Sequence, residues 1–384
     1  MATRVGILGG GQLGRMLLQS GIDFPVDFYV LDPDPAAACA SLTSHFTVGA
    51  LTDFDTVYQF GRQVEVLTIE IENVNVDALE KLQAEGVKVY PQPHVIRTIQ
   101  DKRLQKQFYH DHQIPTPDFV LVENREAVAW HLDFLPAFHK LGREGYDGRG
   151  VVRLDAAQDL SKAFDKPGLL EKAVDIDKEL AVLVARNPQG EVKMYPPVEL
   201  VANPTLHLLD YLLAPALIDE AVVRQVEDIA YRVVHALDMV GLLAIELFLD
   251  KQGKVWVNEA APRPHNSGHH TMRACYTSQF EQLLRAILGY PLGATDALAW
   301  AAMINLLGAE AHQGEAVYEG LDKALAQKGV SVHLYGKKIT KPGRKMGHIV
   351  VLEDSNLQNL LLKLATVKNQ VRVVSIPESE SSKT

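Results

Sequence analysis

Two carboxylates set in apolar surroundings, Glu246 in GLLAIELFLD and Glu259 in VWVNEAA, carry the clearest chemistry in this chain. A carboxylate embedded in an apolar strand is costly to desolvate unless a cation or a dense set of hydrogen bonds meets it. The two segments read as β-strands joined by a tight Lys251-Gln252-Gly253-Lys254 turn, which puts the acids on neighbouring strands. With Asn258 beside the second acid they form a hard oxygen donor set suited to Mg2+. That ion usually keeps water and nucleotide phosphate in its remaining positions. The pattern implies phosphoryl transfer.

Other groups could serve the same reaction. The glycines of Gly145-Tyr146-Asp147-Gly148-Arg149-Gly150 free backbone N–H groups to approach phosphate, and Arg149 adds charge; a plain hairpin turn at Asp147-Gly148 has the same composition. Lys140, on the preceding strand, can reach a phosphate as a point charge. Glu171-Lys172-Ala173-Val174 ends a strand, with Glu179 further on. A segment linking two lobes can offer N–H and C=O groups to adenine and an acid to ribose hydroxyls, although an ordinary strand edge looks alike. Arg263, His265 and Asn266 follow Glu259 and suit a loop that stabilises charge on an activated carboxylate or phosphate. His265, His269 and His270 do not suggest zinc, because Pro264 and Gly268 break a helix and no HExxH or cysteine partner accompanies them. Lys337, Lys338, Arg344 and Lys345 are the densest basic patch, either a solvated hairpin or a pocket for a substrate phosphate.

Gly9-x-Gly11-x-x-Gly14, with Asp32 ending the next strand, has the context of a dinucleotide fingerprint. Any tight strand-to-helix turn also selects glycine. A loop presenting a helix N-terminus to some other anion fits better than a nicotinamide site.

The elements that must position these groups fall into blocks. Up to about residue 90, strands RVGIL, VDFYVLD, VEVLTIEIENV and VKVYP alternate with helical stretches, which implies a parallel, doubly wound sheet. A charged helix, HVIRTIQDKRLQKQFYHDHQ, follows. Short strands then flank the glycine loop, strands alternate with the long helix AVVRQVEDIAYRVVHALDM, and SQFEQLLRAILG closes the unit. After Trp300 the texture returns to β, with VSVHLYGKK and KMGHIVVL flanking a basic turn, and the tail SIPESESSKT is expected to fray. The 384 residues are 47% hydrophobic and 22% charged, with net charge −10 and no Lys/Arg run, so a nucleic-acid surface is not expected. Cys39 and Cys275 form no metal-type pair. No signal-peptide h-region and no apolar run of about 18 residues is present, so a cytoplasmic protein without membrane contact is expected.

Taken together these residues resemble the ATP-grasp superfamily, and within it the ATP-dependent carboxylases of purine biosynthesis. The likeness runs through GILGGGQLGRM, EIENV, QDKRLQK, GYDGRG, EKAVDIDKE, NEAAPRPHNSGHH, SQFEQLLRAI and KPGRKMGH. It implies a mixed α/β and α+β fold: a Rossmann-like domain over residues 1–92, a two-lobed ATP-grasp domain over 93–300, and a small β-rich domain over 301–384. The small lobe would span about 116–172 and the large lobe about 173–300. It implies ATP as cosubstrate, contacted by Lys102, Lys140, the Gly145–Gly150 loop, Glu171–Val174, Glu179, Asn258 and Glu259, with Mg2+ on Glu246 and Glu259. Aminoimidazole ribonucleotide would meet Gln12, Glu72, Tyr146, Asp147, Lys337 and Arg344. Bicarbonate would meet Arg263, His265 and Asn266, with Lys140 and Asp147 also catalytic, and a homodimer is the expected assembly. The chain departs from the family pattern at Glu144, usually a small residue, at Leu141-Gly142, and at Lys102, commonly Arg. No nucleotide contact is carried over to 202–216, which looks atypical.

Overall fold

The computed structural model describes residues 2–143, 150–202 and 209–376. The N-terminal sheet is parallel throughout and runs in the order His45–Val48, Val26–Asp32, Thr3–Leu8, Val66–Ile69, Lys88–Val89. Its edge strand His45–Val48 has no place in the sequence reading, because a short and mostly exposed HFTV carries no buried run. The segment expected as one charged helix is two, Pro93–Ile99 and Lys102–Asp111. Asp101 separates them by accepting from the Arg103 N–H as the cap of the second helix. That break aims Lys102 into the interior rather than along a solvent face.

A small antiparallel sheet follows, with order Phe119–Val122, Gly168–Lys172, Ala137–Leu141, Val151–Leu154. Ala137–Leu141 and Val151–Leu154 are the hairpin that flanks the glycine loop, and Leu141 N–H closes onto Gly150 O at 2.8 Å. Opposite it stands a nine-stranded sheet built on Ile176–Arg186, Gly241–Asp250 and Val255–Ala261. This sheet does not stop near residue 300. Leu209–Ala214 pairs with Trp300–Leu307, which pairs with Lys345–Glu353, and Val330–Leu334 closes the edge. The basic turn between these last strands is therefore not a simple hairpin. Ile339–Thr340 leaves it to pair with Gly314–Glu319 in a separate three-stranded sheet.

Two cores hold the site elements. Helix Glu220–Ala236, capped by Asp219, lays Val222, Val226, Ile229 and Val233 on the large sheet. Leu13, Met16 and Leu17 of helix Gln12–Gly21 share a second core with Phe280, Leu283 and Leu284 of helix Gln279–Leu288 and with Tyr335. That second core joins the N-terminal domain, the large lobe and the C-terminal strands. The spaces between them are thus fixed by buried apolar surface, worth about 25 cal/mol per Å².

Candidate active site

Glu246 and Glu259 are directly opposite one another in the antiparallel pair Gly241–Asp250 and Val255–Ala261. The register slips at this point, Leu247 pairing with Val257, so Asn258 is the extra residue of a β-bulge. A bulge re-aims the inserted side chain, and Asn258 here meets the same cleft as Glu259. Its Oδ1 accepts from Lys140 Nζ at 2.9 Å. Lys140 also donates to Glu171 Oε1 at 2.7 Å, and Lys106 pairs with the other oxygen of Glu171. Lys102 pairs with Glu259. Gln105 and Leu169 complete the pocket lining.

The electrostatics follow from burial. Glu171 is 2% exposed, and against that burial Lys106 and Lys140 hold it below the usual carboxylate range. Burial pulls Lys102 and Lys106 down to about 8. Glu246 is displaced upward, first by burial and then by the carboxylate of Glu179, while its basic neighbour His265 stays 3.7 Å away. Glu179 is itself raised by burial. An under-compensated carboxylate facing a second one, with an amide oxygen in the intervening bulge, fits a divalent cation with part of its shell left for phosphate and water. Among the described residues no three His, Cys, Asp or Glu side chains gather as a closed metal cage.

A second group assembles at the junction of the three units. Arg263 Nε lies 2.9 Å from Glu72 Oε1, tying the loop after Glu259 to the N-terminal domain. Lys337 Nζ donates to Gln12 Oε1 at 2.7 Å, bringing the C-terminal arm to the same place. His265 Nδ1 is 3.0 Å from Ser267 Oγ, and Asn266 Oδ1 is buried with no hydrogen-bond donor among the described residues. Arg344, half-buried, donates to Ile339 O at 2.7 Å and so braces the basic arm.

Other expected residues sit differently. Glu171 turns its carboxylate inward, and the N–H groups of Lys172 and Ala173 are engaged by Asp118 O and Pro136 O. The Lys172 ammonium caps Phe134 O and Leu135 O, and Val174 O accepts from Ile176 N. Gly145, Tyr146, Asp147, Gly148 and Arg149 lie outside the described residues; Gly150, with φ +73°, is the turn residue just before the return strand.

The first glycine motif is a correction. No outside anion is needed at that helix N-terminus, because Glu70 fills it: Oε2 accepts from Gly11 N at 2.5 Å and Oε1 from Leu13 N at 3.1 Å. Asp32, in the ribose-acid position, instead accepts from Gly10 N at 2.6 Å. The glycines admit a carboxylate of the protein itself, since a Cβ on Gly11 would lie 2.5 Å from Glu70 Oε1. The sequence reading also missed Lys106. Its signal was available: it sits one helical turn after Lys102, on the same face.

A hairpin lobe facing a sheet lobe, with lysines on one side and strand-borne carboxylates on the other, defines an ATP-grasp ligase. Residues 107–280 match the ATP-grasp domain family, 1–100 the ribonucleotide synthetase preATP-grasp domain, and 301–360 the phosphoribosylaminoimidazole carboxylase C-terminal domain. The chain is 40% identical over 360 residues to N5-carboxyaminoimidazole ribonucleotide synthase of Synechococcus elongatus, covering 90% of this chain and 89% of that one. It belongs to the N5-carboxyaminoimidazole ribonucleotide synthase family. The crystal structure of the Thermotoga maritima synthetase is 41% identical, with a TM-score of 0.90 over 97% of this chain and all (100%) of that one. The Aspergillus clavatus synthase, solved with ADP and 5-aminoimidazole ribonucleotide, is 32% identical, with a TM-score of 0.85 over 96% and 99%. The chloroplastic phosphoribosylaminoimidazole carboxylase of Vigna aconitifolia is 39% identical over 91% of this chain, which spans only 64% of that longer enzyme.

Proposed function

We propose that this chain uses ATP and bicarbonate to carboxylate 5-aminoimidazole ribonucleotide on its exocyclic amine, giving N5-carboxyaminoimidazole ribonucleotide, ADP and phosphate in purine biosynthesis. The observation that carries this is the cleft where Glu246 and Glu259 stand opposite each other beside the Lys140–Asn258 contact. Family membership and the Gln12–Lys337 junction support the ribonucleotide.

In this reading a bicarbonate oxygen attacks the γ-phosphorus of ATP, the bond to the β-phosphate oxygen breaks, and carboxyphosphate and ADP result. Lys102 and Lys140 balance charge on the transferred group. Glu246 and Glu259 hold Mg2+, which when bound neutralises phosphate oxygens. Arg263, His265 and Asn266 orient bicarbonate and then carboxyphosphate. Its carboxyl carbon, directly or as released CO2, is taken by the amine as phosphate leaves and the amine loses a proton; Asp147 is our candidate acceptor. Gly145, Tyr146, Gly148, Arg149 and Gly150 cradle phosphates. Glu171–Val174 serve the nucleoside through backbone groups other than those bonded to Asp118, Pro136 and Ile176. Glu179 serves it through its carboxylate, and Gln12, Glu72, Lys337 and Arg344 hold the ribonucleotide.

We also propose a cytoplasmic homodimer, checked by light scattering and cell fractionation; no described helix is long and apolar enough to cross a membrane. The decisive assay is coupled ADP release with and without aminoimidazole ribonucleotide and bicarbonate. Release that depends on both is expected, and Glu259→Gln should lower it by about 100-fold or more while Tm stays within a few degrees. ATP turnover indifferent to the ribonucleotide would leave a nucleotide-binding module or another ATP-grasp ligase in its place.

A further inference from the structure

Three imidazoles are stacked where the large lobe meets the C-terminal strands. His348 stacks on His269 at 4.6 Å and 26°, and on His333 at 4.6 Å and 14°. His333 and His348 are cross-strand partners in Val330–Leu334 and Lys345–Glu353, and Asn305 is the partner of His348 on the other side. His269 reaches the stack from the loop that carries Arg263, His265 and Asn266. Both His269 and His348 are fully buried (0% exposed).

These rings are not simple filling. The Nε2 atoms of all three and Oδ1 of Asn305 are buried without a hydrogen-bond partner among the described residues. A leucine or phenylalanine would fill the same space without that desolvation penalty. Buried polar atoms of this kind call for a role that an apolar side chain cannot fill. The Nδ1 atoms show what the imidazoles add. His269 Nδ1 accepts from Gln279 Nε2 at 3.0 Å, and His348 Nδ1 lies 3.0 Å from Tyr335 Oη. The Tyr335 ring in turn lies beneath the Lys337 ammonium, 5.4 Å from its centroid, and Lys337 Nζ reaches Gln12 Oε1 and Lys345 O, each at 2.7 Å. A continuous line of contacts thus runs from the anion loop through His269, His348 and Tyr335 to Lys337.

We infer that His348, acting through its hydrogen bond to Tyr335, is a positioning residue that sets Lys337 against the 263–266 loop, so that the ribonucleotide and the activated carboxylate meet in register. The inference rests on the assignment of Lys337 to the ribonucleotide pocket.

The test uses the full chain. Tyr335→Phe keeps the ring under Lys337 and removes only the hydroxyl, while His348→Phe keeps a stacking ring and removes Nδ1. Each should raise the KM for aminoimidazole ribonucleotide about tenfold, the size of one hydrogen bond, with the KM for ATP unchanged. Their double variant should be no worse than either alone, because both delete one interaction. His348→Asn, whose amide oxygen can stand near the Nδ1 position and accept from Tyr335, should recover most of the loss. Equal shifts in both KM values, no shift, an additive double variant, or an asparagine no better than phenylalanine would each overturn the inference. If His348→Phe does not fold, Tyr335→Phe against wild type decides alone. A wild type without ribonucleotide-dependent ADP release would instead sink the proposed function, and this inference with it.

Discussion

Glu171 pairs one carboxylate with two ammonium groups, Lys106 on one oxygen and Lys140 on the other, at 2% exposure. Removing one partner of a buried ion pair costs about 3–5 kcal/mol when it leaves a charge uncompensated, and little when the remaining charges still balance. Glu171→Gln strands two cations, whereas Lys106→Met strands none, because Glu171 retains Lys140. The expected outcome is a drop in Tm of about 10 °C for Glu171→Gln and a clearly smaller one for Lys106→Met, by thermal denaturation without nucleotide. The reverse order would mean that Lys106, not Glu171, is the hub. The sequence disclosed Lys140 and Glu171 because each breaks an apolar strand. For Lys106 it offered only the one-turn spacing from Lys102, and a lysine on a charged helix reads as solvated until the strand it packs on is known. Thr116 Oγ1 at 2.5 Å and Val257 O at 3.3 Å complete the donor's partners, and the second lies on a strand 151 residues away.

The helix Gln12–Gly21 shows where pattern reading stops. A glycine-rich turn into a helix N-terminus is the same pattern whether the anion comes from solution or from the chain, and Glu70 lies on a different strand-end, 59 residues from Gly11. Only the parallel pairing of Thr3–Leu8 with Val66–Ile69 brings it there. Gly11→Ala would push a methyl group into Glu70 Oε1. Overpacking of this kind costs roughly 1–3 kcal/mol, so a Tm lower by about 3–8 °C is expected, together with a raised ribonucleotide KM as Gln12 shifts. NADH should give no fluorescence change in wild type or variant; a saturable change would restore the dinucleotide reading. Strand identities elsewhere were legible, because Gly241–Asp250 and Val255–Ala261 carry long apolar runs around a Gly-containing turn. The bulge at Asn258 was not, because register is decided across the pair rather than within a strand.

At the scale of the molecule, the buried histidines make stability depend on pH. Burial is the leading cause in each case: His139, His270 and His333 are lowered to about 4, and His269 and His348 well below the ordinary value. The groups around the stack add to this, since His265, His270, Lys345 and Arg273 all oppose a further positive charge there. In the unfolded chain each histidine takes a proton near pH 6.5, and in the folded chain it does not. Below that pH the unfolded state therefore binds more protons, and stability falls as pH falls, by about 1.4 kcal/mol per histidine per pH unit down to the folded value. With five such groups the histidine contribution to the loss by pH 5.5 is on the order of 7 kcal/mol. It is offset in part by Glu70, Glu179 and Glu246, whose carboxyls burial holds above the ordinary range so that the folded state takes up their protons first. Glu171 and Asp101, both held low by basic neighbours, extend the loss as pH falls through their folded values. Three of the histidines form the joint between the large lobe and the C-terminal strands, so that joint should be among the first structures to yield. Scanning calorimetry between pH 8 and pH 5 should show Tm nearly level above pH 7 and falling steeply below 6.5, with tyrosine fluorescence from the Tyr335 region changing first. A level Tm down to pH 5.5 would mean that the imidazoles are hydrated or charged in the folded protein, and that the stack does not exclude protons as its burial implies.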